Sequence, residues 1–381
     1  MDRTGERSAM IEKIAVAISG GVDSMMAAHL LKAEGHEVFG VHFVTGYEPD
    51  KIPEALLGEI ITPHDKKALH PALGKLADTL NIPIHILDFR AVFREKVVDY
   101  FVHTYLAGKT PNPCLYCNPA IKFGTLLTYA MEKGADKVAT GHYARIEPSS
   151  GSRYLLKKGT DPVKDQSYFL AFSTQDQLER LVLPLGTYTK KEIVELAAHH
   201  GLSPSTQKES QDICFIPDGD YQRFIERQPE FSRKPGPIVD VKGNVVGEHQ
   251  GLHLFTVGQR RGINCPAKNP YYVGGIDVPT NTLFVGFREE LATTACRVSQ
   301  VNWITSPPPS AGRTHVKLRY RHREIPCTIH AHTSDSVLVN FHTPVFPVTP
   351  GQGAIFILDD VILGGGIISR ERKERTPYAD L

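Results

Sequence analysis

The sequence has no apolar run long enough to span a bilayer, and Met1 to Met10 contain no hydrophobic segment of the kind a secretory signal needs. A cytoplasmic protein with no membrane association is expected. Net charge is nearly absent as well, at +1 over 381 residues, so any nucleic-acid surface must be local. Cysteine is sparse: residues 114, 117, 214, 265, 296 and 327 are too few and too scattered for a disulfide scaffold, and reduced thiols are expected. There is no internal repeat and no low-complexity tract; Pro307-Pro308-Pro309 is a local rigid connection. A composition of 41% hydrophobic and 22% charged residues is that of a soluble globular protein. The length exceeds one ordinary core, and three domains are expected, at 11–202, 203–282 and 283–381.

What is present starts with an apolar run, Ile14-Ala15-Val16-Ala17-Ile18, then Ser19-Gly20-Gly21-Val22-Asp23-Ser24, then a helical stretch from Met25 to Ala33. This is a strand, a tight turn and a helix start. Adjacent glycines let an anion approach the main chain, while the amides opening the helix point at it. The turn lacks the Lys of the G-x-x-x-x-G-K-[ST] loop, so the common nucleotide-hydrolase motif does not fit and a pyrophosphate-like group is the expected ligand. Gly-Gly also makes ordinary turns, and Ser or Asp also caps helices. The hexapeptide resembles the signature of the ATP pyrophosphatases, the PP-loop family, which split ATP into AMP and pyrophosphate to activate a carbonyl oxygen. The resemblance implies that Ser19, Gly20, Gly21 and Ser24 hold phosphates, that Ala17, Ile18 and Val22 complete the ATP site, and that Asp23 helps place Mg²⁺, a hard cation preferring oxygen.

Apolar runs then alternate with helical stretches: strands at Val38 to Val44, Ile82 to Phe89 and Lys137 to Gly141; helices at His64 to Leu80, Ala91 to Leu106, Ala120 to Lys133 and Lys190 to His200. A doubly wound parallel α/β sheet is predicted, with Ser19 to Ser24, Phe43 and Gly141-His142-Tyr143 at the carboxyl ends of its strands. From Ser203 the texture changes to prolines and glycines with one short helix, Asp220 to Arg227, which suggests a small linker-like middle domain. Beyond Leu283, short β-branched segments (Thr314 to Tyr320, Cys327 to His332, Ser336 to Phe341, Ala354 to Leu358) predict a C-terminal β-barrel.

Thr110-Pro111-Asn112-Pro113-Cys114-Leu115-Tyr116-Cys117-Asn118 reads as a Pro-rich loop starting a helix near Pro119, and it carries C-x-x-C. Thiols at a helix start have lowered pKa values, so a nucleophile, a redox pair or a metal ligand compete with two cysteines packed as small hydrophobes. A zinc knuckle would need a second Cys or His pair, and none follows at similar spacing.

The ordered set T-P-N-P-x-x-x-C-N, A-T-G-H-Y (Ala139 to Tyr143), K-D-Q-S-Y-F-L (Lys164 to Leu170) and D-I-C-F-I (Asp212 to Ile216) is similar to the tRNA-specific 2-thiouridylases. So are Gly247 to Gly251, Thr256 to Arg260, Arg319-Tyr320-Arg321 and Gly364 to Ile368, and the resemblance spans nearly the whole chain. It implies that Cys117 and Cys214 are catalytic, Cys214 carrying a persulfide loaded by a sulfur-donor protein, and that Phe43 and Gly141 touch ATP. It implies further that Asn112, Pro113 and Cys114 meet the target base, and that Lys164, Asp165, Gln166, Arg319 and Tyr320 contact tRNA. Adenylation makes the uracil O2 a leaving group, after which sulfur attacks C2; Cys117 attacks the persulfide or takes the leaving thiol. Some members have Asp where this chain has Cys114. Three cysteines, 114, 117 and 214, are also a plausible ligand set for a [4Fe–4S] cluster, so persulfide and cluster chemistry both stand.

Arg313, Lys317, Arg319, Arg321 and Arg323 would form one basic face of an alternating strand, suited to phosphate but equally to a solvated edge. Tyr116 or Tyr143 would hold an unstacked base. His142, Cys265, Cys296 and Cys327 read as structural. Two other classes compete: a PP-loop ligase leaves the cysteines without a task, and a tRNA-binding protein without catalysis leaves the intact SGGVDS unexplained.

Overall fold

The computed structural model describes residues 10–48, 51–64, 70–149, 151, 153–202, 213–308, 314–331, 333 and 335–369. Asp212, Arg313, the chain from Arg370 and part of the helix expected from His64 lie outside the described residues.

Ile14, Ala15 and Val16 are fully buried, as befits a strand covered on both faces. Their strand, Lys13–Ala17, pairs in parallel with Glu37–Val44 on one side and Lys137–Ala139 on the other. Ile84–Asp88 and Leu181–Val182 extend the sheet in parallel, and Ile60–Ile61 adds an antiparallel edge. The chain builds outward from Lys13–Ala17 in one direction, then crosses to build in the other. The reversal leaves a crevice at the carboxyl end of that strand, the binding position of doubly wound sheets.

The helix expected near Pro119 begins at Pro113. Proline suits a first helical position, where an N–H would have no partner. The second proline, Pro119, is accommodated by a wide π-helical turn, Asn118–Thr125, before the helix resumes as Leu126–Glu132. Gln177 secures that turn by donating from its amide to the carbonyls of Pro119 and Phe123, both at 2.9 Å. Cys114 and Cys117 therefore ride on a helix that is fixed from outside.

The middle of the chain is more than a linker. Besides the helix Tyr221–Glu226 it forms a four-stranded sheet of Val245–His249, Gly236–Asp240, Thr282–Gly286 and Tyr272–Asp277. This sheet has its own core of Ile238, Phe255, Val257, Val273, Leu283 and Val285. Its strands are short and bounded by glycine and proline, which hid them in the sequence pattern. Phe215, by contrast, lies in the core of the first domain, with Phe93 and Phe101 rings 5.8 and 5.2 Å away.

The C-terminal barrel forms as expected. Its order is Thr293–Trp303, Val337–Val345, Ile325–Ala331, His315–Lys317, Gly353–Leu358 and Val361–Ser369, and the last strand pairs back onto the first. A hairpin of the first domain, Ala144–Pro148 and Tyr154–Lys158, adds to Val361–Ser369, so two domains share one sheet. The strand expected at Thr314 to Tyr320 stops at Lys317; Arg319, Arg321 and Arg323 follow in a turn, so they do not share a strand face.

Candidate active site

The turn expected to hold phosphate is assembled in the crevice. Gly20 has φ +79, a conformation open to glycine, and Gly21 caps the helix Val22–Ala33. The Ser24 hydroxyl donates to the Gly21 carbonyl at 2.9 Å and accepts from the Ser19 amide at 3.2 Å, closing the loop on itself. Ala17 and Ile18 are buried behind it. Gly141 lies so close that a Cβ there would come within 2.7 Å of the Asp23 carbonyl carbon and 2.9 Å of the Ser24 nitrogen. Phe43 stacks on Phe89 at 5.4 Å at the end of Glu37–Val44.

Asp23 has two partners that sequence reasoning missed. The Lys190 ammonium donates to both of its carboxylate oxygens, at 2.8 and 2.9 Å, and the Tyr143 hydroxyl donates to one at 2.7 Å. Lys190 is the first residue of the helix Lys190–His199, whose start is fixed by a capping box between Thr189 and Glu192. The Thr189-x-x-Glu192 pattern was the available signal: it places Lys190 at a helix start, from which a long side chain reaches the crevice. Tyr143 is buried and committed to Asp23, so it does not stand ready to stack on a base. The carboxylate suits Mg²⁺, with Lys190 holding the same oxygens.

The sulfur-bearing residues stand differently. Burial pushes the Cys117 thiol up to about 12 and the Cys114 thiol up to about 11; Cys214, although it reaches solvent, is crowded enough by the surrounding chain for desolvation to raise it too. The expected helix-start activation is thus outweighed by desolvation. Cys114 nevertheless senses the charge of Cys214, Cys117 senses that of both, and the Lys122 ammonium of the π-helical turn lowers all three. Lys122 is a further residue the sequence reading missed, five positions beyond Cys117 where a π-helical turn brings it back towards the thiol. His142, next to Gly141, also feels Lys122, and burial keeps it neutral; its Nδ1 lies 2.7 Å from the Thr140 hydroxyl. Gly141 thus abuts the phosphate turn, while the ring of its neighbour His142 lies 6.2 Å from that of Phe123 in the π-helical turn that follows Cys117. Cys214 is exposed on a short turn tied down by the neighbouring Phe215. Among the described residues no group of three or more His, Cys, Asp or Glu is arranged to hold a metal ion, so the residues present do not fit the cluster set of Cys114, Cys117 and Cys214.

Several residues expected to meet RNA spend polar groups inside the fold. Asn112 precedes the cysteine helix as its N-cap, with Pro113 as the first helical residue. The Asp165 carboxylate accepts from the amides of Gly159 and Ser167 and from the Ser167 hydroxyl at 3.0 to 3.1 Å, and Gln166 accepts from the Tyr143 amide at 3.1 Å. Lys164 is half-buried beside them. Arg319 donates to the Val257 carbonyl at 2.8 Å and to the Thr349 hydroxyl at 2.5 Å, riveting the barrel to the middle domain. Tyr320 packs on Phe169 at 4.4 Å, with the Lys317 ammonium 5.7 Å from its ring. Tyr116 lies on Tyr100 at 4.0 Å and donates to the Gln300 side chain at 2.7 Å, so it too is engaged. Cys296 and Cys327 are buried in the barrel and Cys265 packs against the middle core, as expected. Among the described residues no helix is long and apolar enough to cross a membrane.

Family models match three consecutive regions: a tRNA methyl transferase HUP domain over 12–218, a tRNA methyl transferase PRC-barrel domain over 222–287 and an aminomethyltransferase β-barrel domain over 293–368. A tRNA-specific 2-thiouridylase of Desulfosudis oleivorans is 50% identical over 359 residues, 94% of this chain and 95% of that protein. Those of Geotalea uraniireducens and Syntrophotalea carbinolica are 42% and 45% identical, covering 96% and 93% of this chain and 97% and 98% of theirs. Two of these families are described by methyl transfer, whereas the phosphate turn and the C-x-x-C helix accord with the thiouridylase relatives. With such identity from end to end, this chain belongs to the tRNA-specific 2-thiouridylase family.

Proposed function

We propose that the protein is a cytoplasmic tRNA sulfurtransferase that 2-thiolates the wobble uridine, using ATP and a persulfide carried on Cys214. The observation that carries the reading is that Gly141 packs against the phosphate turn while its neighbour His142 lies 6.2 Å from Phe123, in the π-helical turn that continues the helix of Cys114 and Cys117.

The amides of Ser19 to Ser24 hold the phosphates, and the helix start favours their charge. Asp23 supplies an oxygen for Mg²⁺, which neutralises phosphate charge when bound; Lys190 then turns from Asp23 towards the phosphates. The uridine O2 attacks the α-phosphorus, pyrophosphate leaves, and C2 now bears AMP as a leaving group. A sulfur-donor protein charges Cys214. The Cys117 thiolate attacks the Cys214 Sγ, forming a Cys117–Cys214 disulfide and releasing hydrosulfide, which adds to C2 and expels AMP; an external thiol then reduces the disulfide. Thiols raised by burial are protonated at neutral pH, so Cys117 must lose its proton once the site is engaged, with Lys122 favouring the anion. Cys114 stands beside this exchange as an auxiliary thiol.

Labelled sulfur tests the reading. Wild-type protein with ATP, tRNA and a persulfide source is expected to place label in tRNA while releasing pyrophosphate, and Asp23→Ala is expected to do neither while remaining folded. Labelling of tRNA without ATP would contradict it.

A further inference from the structure

At the turn 349–353 all three domains meet. On one side the Thr349 hydroxyl accepts from Arg319 at 2.5 Å and donates to the Val257 carbonyl of the middle domain at 3.3 Å. On the other side the Gln352 side-chain amide donates to the carbonyls of Thr110 and Pro111, at 3.0 and 3.1 Å, and the Thr110 amide donates to the Pro350 carbonyl at 2.9 Å. Thr110 and Pro111 lead directly into Asn112, Pro113 and Cys114.

The approach is too tight for other residues. Gly351 has φ +91, and a Cβ there would lie 2.8 Å from the Thr110 carbonyl oxygen; one on Gly353 would lie 2.5 Å from Leu115. Tyr168, buried beneath, donates to the Gly353 carbonyl at 3.1 Å. The turn is itself stitched to the last barrel strand, Gly351 donating to the Ile368 carbonyl and Ile368 to that of Gln352, both at 2.9 Å. The barrel thus does more than present a surface. It grips the backbone of the loop that precedes the cysteine helix.

We propose that Gln352 is a positioning residue for thiolation: it fixes the loop 110–114 from the barrel, so that the target base and the Cys114–Cys117 helix meet in register. This rests on the thiolation reading above. A proline-rich loop has few N–H groups with which to hold itself, since Pro111 and Pro113 donate nothing. Two carbonyls accepting from one neutral amide therefore hold the stretch 110–111, beside the Thr110 amide bond to Pro350 and the bonds of Asn112 with Tyr100 and Tyr168. Gln352 has no other hydrogen-bond donor of its side chain to offer, so losing it frees both carbonyls at once.

The test uses full-length Gln352→Met, which keeps the side chain's length and removes its donors. Thiolation at saturating tRNA is expected to fall at least tenfold, with tRNA affinity within about twofold of wild type and ATP affinity unchanged. Iodoacetamide labelling of Cys114 and Cys117 in the absence of tRNA, read by mass spectrometry, is expected to rise severalfold as the loop loosens. Gln352→Glu, which keeps the shape and presents oxygens to the same carbonyls, repeats the measurement if the methionine variant does not fold. A variant with weakened tRNA affinity but unchanged turnover at saturation and unchanged labelling would overturn the proposal and make Gln352 a plain RNA contact. Inactivity of the wild type towards tRNA would instead strike the functional reading, and the labelling change would still report on the loop.

Discussion

The phosphate turn and the cysteine helix lie in the same domain and are prepared to very different degrees. In the turn, Ser19, Ser24, Asp23, Lys190 and Tyr143 already hold one another, and on the reading proposed above Lys190 exchanges Asp23 for phosphate when ATP binds. At the cysteines, burial holds the thiols protonated, and Cys214 hangs on a short exposed turn. The difference suits the order of the chemistry. A preassembled ATP site costs nothing while no tRNA is bound, whereas a standing thiolate or persulfide would be spent on solvent or stray oxidants.

Removing charge from the prepared half is expected to have the largest effect. Lys190→Met should lower tRNA-dependent pyrophosphate release by about 10²-fold or more, the order seen when one preorganised electrostatic contact is lost. ATP binding, followed by calorimetry with and without Mg²⁺, should weaken as well. Wild-type release would mean that Lys190 only restrains Asp23 in the resting protein.

The unprepared half should respond to its anchor. Phe215→Ala removes a ring from the cluster of Phe93 and Phe101 and should cost about 3–5 kcal/mol of stability in denaturant unfolding. Thiolation should fall further than pyrophosphate release, because Cys214 is the next residue. Equal loss of both would show that the two halves are not separable in this way.

A smaller effect tests the protonation difference itself. Because burial raises these thiols, the reactive thiolate is scarce at neutral pH and gathers only as pH climbs towards about 11 for Cys114 and about 12 for Cys117. Alkylation of each, measured without tRNA from pH 7 to 10, should therefore keep rising across the whole range with no plateau. A plateau near pH 8 would show that Lys122 outweighs desolvation. The smallest change is expected at the rim: Arg321→Ala should flatten the salt dependence of tRNA binding by a little under about one unit of slope. Arg319→Ala should in addition loosen the barrel from the middle domain, since its guanidinium holds Val257 and Thr349.

The prepared half was also the legible one. A strand, two glycines and a helix start are contiguous, so Ser19 to Ser24 could be read from local chemistry, while short β-branched segments carried the barrel and the order of motifs the cysteines. What escaped was set by distance or by packing. Lys190 meets Asp23 across the crevice, and Gln352 meets Thr110 across two domains. The middle strands were hidden because glycine and proline punctuate them, and the helix beginning at Pro113 because Pro119 looked like a start when it is absorbed in a π-helical turn. Arg319 was read as a tRNA contact by resemblance and Tyr143 as a base holder by residue type; the hydrogen bonds of both in the folded chain run inward, to Val257 and Thr349 and to Asp23.

The central claim is that sulfur passes from Cys214 with Cys117 as its partner, and a chase of labelled sulfur tests it most directly. Protein charged with labelled sulfur, freed of excess donor and verified to contain no iron, is mixed with ATP and tRNA, and label is followed on the Cys214 peptide and in tRNA. Wild type should lose label from Cys214 as tRNA gains it, Cys117→Ser should keep label on Cys214 with none in tRNA, and Cys214→Ser should never be charged. Transfer by Cys117→Ser at the wild-type rate, or a wild type that transfers only when iron is restored, would contradict the account.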